Sequence, residues 1–154
     1  MEETSITDEV PRILVIDADK TVRKSIAAML AAEGYATDTA ETGKEAIGKT
    51  FENFYNLALI NIRLQDIGGT DVMAQMKETV PAMIKVIIAS YASLPKAVDA
   101  VNNGADACIL IPTEPEKLLN VVKKGLKKQE EARRFSQQRI AEFIETRVRE
   151  LEQK

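Results

Sequence analysis

The chain has 154 residues, enough for one ordinary domain plus an extension and too few for two full-sized domains with separate cores. Its 21 Lys and Arg stand against 24 Asp and Glu, so the net charge of −3 offers no basic surplus to make nucleic acid the principal partner. The chain contains no His, which excludes Ser-His-Asp and Cys-His catalysis, His-ligated zinc or haem, and a phosphohistidine carrier.

Residues 1–10 read as a disordered tail, and the opening MEETSITDEVPR is polar and acidic, the opposite of a signal peptide. No apolar run approaches the roughly 20 residues of a membrane span, so a cytoplasmic location is expected. Five short apolar runs follow: Arg12–Ile16, Tyr35–Thr39, Leu57–Ile60, Val86–Ala89 and Ala107–Ile111. Four are almost continuously apolar, as strands covered on both faces must be. The second alternates with Thr and Asp and suits a sheet edge.

After each run comes a stripe with helical spacing: Val22, Ile26, Leu30; Ile47, Phe51, Phe54; Met73, Met76, Val80; Leu94, Val98, Val101; and Leu118, Val122, Leu126. Asp19 is placed to cap the first helix, Gly34 and Gly104 to stop the first and fourth, and Pro95 to sit in the first turn of the fourth. Strict strand-helix alternation predicts a parallel sheet wrapped by helices on both faces. The lone Cys108, inside an apolar run, is read as a buried, inert thiol; with no Cys or His pairs, no metal-ligand spacing exists.

Beyond residue 126 no further strand is expected. Residues 127–154 lack Gly and Pro and are rich in helix formers, so the fifth helix is expected to run on unbroken from residue 114 to about 150. Residues 114–154 hold 11 basic and 8 acidic side chains, against 10 and 16 in residues 1–113. Lys123, Lys124, Lys127 and Lys128 read as a solvated helix face rather than a phosphate-binding patch. Phe135, Ile140, Phe143, Ile144, Val148 and Leu151 form an apolar seam with nothing left to cover. Residues 127–154 are then a linker or a dimerisation helix, and association with a second copy of the chain would bury the seam.

In an open parallel α/β sheet, ligands bind beyond the carboxyl ends of the strands. The crevice residues are then Asp17, Ala18 and Asp19 after the first strand, Asn61 after the third, Ser90 and Tyr91 after the fourth, and Ile111 and Pro112 after the fifth. No Gly-rich phosphate loop follows any strand, and Gly43-Lys44 lacks both the earlier Gly and the strand context of a P-loop. The longest connection, Asn61 to Thr70, lies beside the crevice, and its Gly68-Gly69 supplies the turn into the third helix.

The stretches ILVIDAD, LALINIRLQDIGG, VIIAS and GADACILIP, in this order over residues 11–126, resemble the receiver domain of two-component response regulators. The resemblance implies the flavodoxin-like fold with strand order 2-1-3-4-5, a cis peptide before Pro112, and signalling through protein partners, with the fourth and fifth helices and the strand between them as the interaction face. In that family a carboxylate after the third strand accepts a phosphoryl group with Mg²⁺ held by it and an acidic pair. A Lys after the fifth strand and a hydroxyl after the fourth complete the site.

This chain departs at most of those places. Asn61 stands for the phosphoacceptor, Ala18 for one of the acidic pair, Ile111 for the Lys, and Tyr91 for a small residue, leaving Asp17 and Ser90. The expectation is a degenerate pseudo-receiver: not an enzyme, with no metal or cofactor, in which Asp17 is bonded to the Asn61 amide, Asp19 caps a helix and the Ser90 hydroxyl is satisfied by backbone. Alternatives are residual Mg²⁺-dependent phosphoryl acceptance and a small-molecule sensor whose apolar pocket uses Tyr91 and Ile111. Duplex DNA binding by the basic helix is a weaker idea.

Overall fold

The computed structural model describes residues 9–153. The expected tail therefore lies outside the described residues except for its last two positions. The elements are β1 (Arg12–Ile16), α1 (Lys20–Ala32), β2 (Ala36–Ala40), α2 (Gly43–Glu52), β3 (Leu57–Asn61), α3 (Gly69–Gln75), β4 (Ile84–Ser90), α4 (Leu94–Asn102), β5 (Ala107–Ile111) and α5 (Pro115–Glu152). A single 3₁₀ turn, Tyr91–Ser93, joins β4 to α4. The five strands are parallel in the order β2-β1-β3-β4-β5, the flavodoxin-like arrangement. Three strands differ slightly from expectation: β2 is shifted by one residue, β3 gains Asn61, and β4 runs from Ile84 to Ser90.

Alternation along the strands feeds two core layers. Leu14, Ile60 and Ile87 face α2, α3 and α4, whereas Ile13, Val15, Leu59 and Val86 face α1 and α5. Each of these fully buried side chains stabilises the fold by about 2 kcal/mol relative to exposure. The expected punctuation is in place. Asp19 accepts hydrogen bonds from the Thr21 and Val22 amides at the start of α1, and Gly34 and Gly104 take positive φ of 96° and 115° after α1 and α4.

Three helical stripes are corrected. In α4 the large residues Leu94, Val98 (52% exposed) and Val101 face outward, and Ala97 and Ala100 touch the sheet. In α2 the buried positions are Gly43, Ala46 and Thr50; Phe51 is exposed and Phe54 lies past the helix end. Here small residues mark the packed face because they let the helix lie close to the sheet, while bulk marks the outer one. α3 ends at Gln75, so Val80 is outside any helix and 95% exposed, in a bend before Pro81. We expect Ala100→Leu to lower stability by about 1–3 kcal/mol through overpacking. Val98→Ser should stay within about 0.5 kcal/mol, and urea midpoints measure both.

α5 covers the sheet with Leu118 and Val122 and lies close to it at Gly125, where a Cβ would come within 2.9 Å of Ile84 Cγ2. Contact with the body continues past the expected stripe, which ends at Leu126, to Gln129, which is 6% exposed. Its Nε2 donates to the carbonyls of Asn56 (3.0 Å) and Ala82 (2.8 Å), and its Oε1 accepts from Asn56 Nδ2 (3.1 Å). These two carbonyls belong to the loops entering β3 and β4, so one side chain fastens α5 to the base of the sheet. From residue 134 onward every described side chain of the helix is exposed.

Candidate functional site

β1 delivers Asp17 to the carboxyl end of the sheet, where it is 4% exposed and its N–H donates to the Ala40 carbonyl. Its Oδ1 accepts from the Asp19 amide (2.9 Å) and its Oδ2 from Asn61 Nδ2 (3.0 Å). The bond between Asp17 and Asn61, expected from the sequence, therefore ties β1 to β3. At the other end of the carboxamide, Asn61 Oδ1 accepts from the Arg63 amide at 2.8 Å. Arg23, from α1, donates to the Asp17 carbonyl at 2.7 Å and sets a guanidinium beside the loop.

These residues do not fit the Mg²⁺ that the resemblance implies. Both Asp17 oxygens accept protein donors, Asp19 Oδ1 accepts from two backbone N–H groups of α1, and the Asn61 oxygen accepts from the Arg63 amide. A hard cation needs a cluster of oxygen ligands with negative charge. Among the described residues, no group of three His, Cys, Asp or Glu is placed to hold a metal ion.

Ser90 ends β4 half-buried beside Ile111, its register partner on β5. Ile111 is partly buried and packs against the core layer under α1 and α5. Tyr91, 67% exposed, instead borders a groove with Cys108, Leu110 and Pro112 along the outer edge of β5. Ile111 is not among the residues that line this groove. The Ile111-Pro112 bond is cis, as expected. Cys108 is half-buried rather than buried, because β5 is an edge strand; burial still pushes its thiol pKa up, away from reactivity.

Two contributors escaped the sequence reading. Arg23 is one. The other is Asp66, whose carboxylate accepts from the Gly43 and Lys44 amides, both at 2.9 Å, and ties the β3-α3 loop to the N-terminus of α2. Those donors hold its pKa below the usual carboxylate range, the Lys44 N–H first. Its place in the longest strand-to-helix loop was the available signal.

On the distal half of α5, Ile140, Ile144, Val148 and Leu151 are exposed along one side. Phe135 is not on that side: at about 100° per residue it falls roughly 160° away. It packs under the Arg139 guanidinium, 5.7 Å from the ring centroid. Among the described residues no helix is long and apolar enough to cross a membrane.

Comparison with known proteins gives a consistent match. The family described as "Response regulator receiver domain" matches residues 13–123. A response regulator receiver domain protein (CheY-like) from Methanospirillum hungatei JF-1 is 37% identical, covering 80% of this chain and 99% of its own, with a TM-score of 0.75. The receiver domain of NtrX from Brucella abortus is 27% identical, covering 75% of this chain and 98% of its own, with a TM-score of 0.70. Among curated relatives, the alginate biosynthesis transcriptional regulatory protein AlgB of Pseudomonas putida is 31% identical over 114 residues, which is 74% of this chain and 25% of that protein. The chain spans about a quarter of the length of that relative.

Proposed function

The chain belongs to the response regulator receiver domain family, and from that premise we propose that it is a phosphorylation-independent member, a pseudo-receiver acting by protein-protein interaction in a two-component type pathway. The observation that carries this reading is the committed carboxamide of Asn61, with Nδ2 on Asp17 and Oδ1 on the Arg63 amide. A carboxamide has neither the charge nor the nucleophilicity of the carboxylate that accepts a phosphoryl group. Ala18 and Ile111 remove the second acid and the cation that the family's chemistry uses. The test is intact mass after incubation with acetyl phosphate and Mg²⁺: the mass stays unchanged, and gain of one phosphoryl group on any crevice residue overturns the reading.

Leu94, Val98 and Val101 on α4, with Tyr91 in the turn before it, supply an apolar outer face suited to a protein partner. The distal half of α5, taken as an extension of the receiver unit from residue 127, serves association with a second copy through its exposed apolar side. An unsupported helix of this length is marginal in water, and pairing buries that side. Lys123 and Lys128 lie against Glu33 (3.3 Å) and Asp106 (3.9 Å), which supports a solvated basic face over a phosphate-binding one.

A further inference from the structure

Resting on the reading that α5 pairs with a second copy, we propose that the pairing is antiparallel and that each helix end seats on a ledge at the base of the other copy's receiver body. The ledge is Phe54, Val80 and Pro81, and with Ser136 and Ile140 of the same chain it bounds a mostly apolar groove of about 480 Å³. Val80 is 95% exposed, uncovered among the described residues.

Helical phase decides the orientation. At about 100° per residue, Leu118, Val122 and Gln129, which hold the receiver body, and Ile140, Ile144, Val148 and Leu151 centre within roughly 55° of one another. The apolar side of the distal helix therefore looks toward the side on which its own body lies, and the groove between Ile140 and Val80 is the visible result. In a parallel pair the two-fold axis would run along that side, and both bodies would claim the same volume at the same height. In an antiparallel pair the bodies stand at opposite ends, and each apolar side meets the other helix.

With Phe143 and Ile144 at the two-fold axis, Leu151 of the second copy comes opposite Ser136, at the ledge. Antiparallel helices present like flanks to each other. Arg139 then faces Glu150 of the second copy on one flank, and Arg134 faces Glu152 on the other, each twice by symmetry. The overhang past Gln129 is about 35 Å long at 1.5 Å per residue, which is long enough for this overlap.

The test uses the 154-residue chain carrying Cys108→Ala. Chains with Ser136→Cys are mixed with tagged chains carrying Leu151→Cys and oxidised, and the expected product is the mixed disulfide. In parallel, Val80→Asp, at an exposed position whose folding is checked by urea midpoint, raises the dimer dissociation constant at least about tenfold in sedimentation. Disulfides joining Leu151→Cys to itself overturn the antiparallel arrangement while leaving pairing intact. An unchanged dissociation constant for Val80→Asp removes the ledge. A parent chain that stays monomeric throughout the micromolar range overturns both the arrangement and the pairing on which it rests.

Discussion

Asn61→Asp is expected to lower stability by about 2–4 kcal/mol near neutral pH and to leave the chain unable to accept a phosphoryl group. In the parent, Asn61 Nδ2 donates to a carboxylate that is almost wholly buried. The substitution replaces that donor with a second carboxylate at the same 3.0 Å contact and provides no cation to separate the charges. Repulsion from Asp17 raises the pKa of the introduced carboxylate in the folded state above its unfolded value. The destabilisation is therefore full above that raised value and declines as pH falls through it, where a shared proton restores a hydrogen bond. Urea midpoints at neutral and mildly acidic pH read this directly. Phosphoryl transfer is a property of positioned charges acting together, so its return requires Ala18→Asp and Ile111→Lys as well. A single variant as stable as the parent, or one that gains mass from acetyl phosphate, contradicts this account.

Gln129→Ala is expected to cost about 2–4 kcal/mol, well beyond an ordinary surface change, because it removes a buried side chain together with its three hydrogen bonds. The Ala82 carbonyl loses the Gln129 donor, the Asn56 carbonyl keeps only the Ile84 N–H, and Asn56 Nδ2 loses its acceptor. Asn56 Oδ1 also accepts from the Arg12 amide at 2.9 Å, so the damage extends to the entry of β1. A lower urea midpoint and faster amide exchange over residues 126–133 are the expected readouts. A midpoint within about 0.5 kcal/mol of the parent would show that water replaces the side chain.

The sheet was legible because a strand covered on both faces must be apolar at nearly every position, as in Ile13–Ile16 and Leu57–Ile60. The Asp17-Asn61 contact was legible for a similar reason: a carboxylate at a strand end needs donors, and the fold brings β3 beside β1. The buried sides of α2 and α4 were not, because a periodicity of large residues reports a stripe without saying which way it faces. Val98 and Ala97 are adjacent in sequence, and only the distance of the helix from the sheet decides that Ala faces in. Gln129 was illegible for another reason. It lies 73 residues from Asn56, and a single polar side chain in a polar helix carries no local mark of a distant carbonyl. Phe135 was misplaced by counting apolar residues along the chain without following their angle around the helix.

Fastened at Gln129 and continuous to Glu152, the last helix is a lever with its fulcrum at the loops that enter β3 and β4. A tilt of about 5° at that fulcrum moves the far end by roughly 3 Å, given about 35 Å of rod at 1.5 Å per residue. Displacements of that size disengage one interdigitated side chain from its neighbour. A partner that shifts Asn56 or Ala82 by a fraction of an ångström therefore gains mechanical advantage over whatever the far end of the rod is holding.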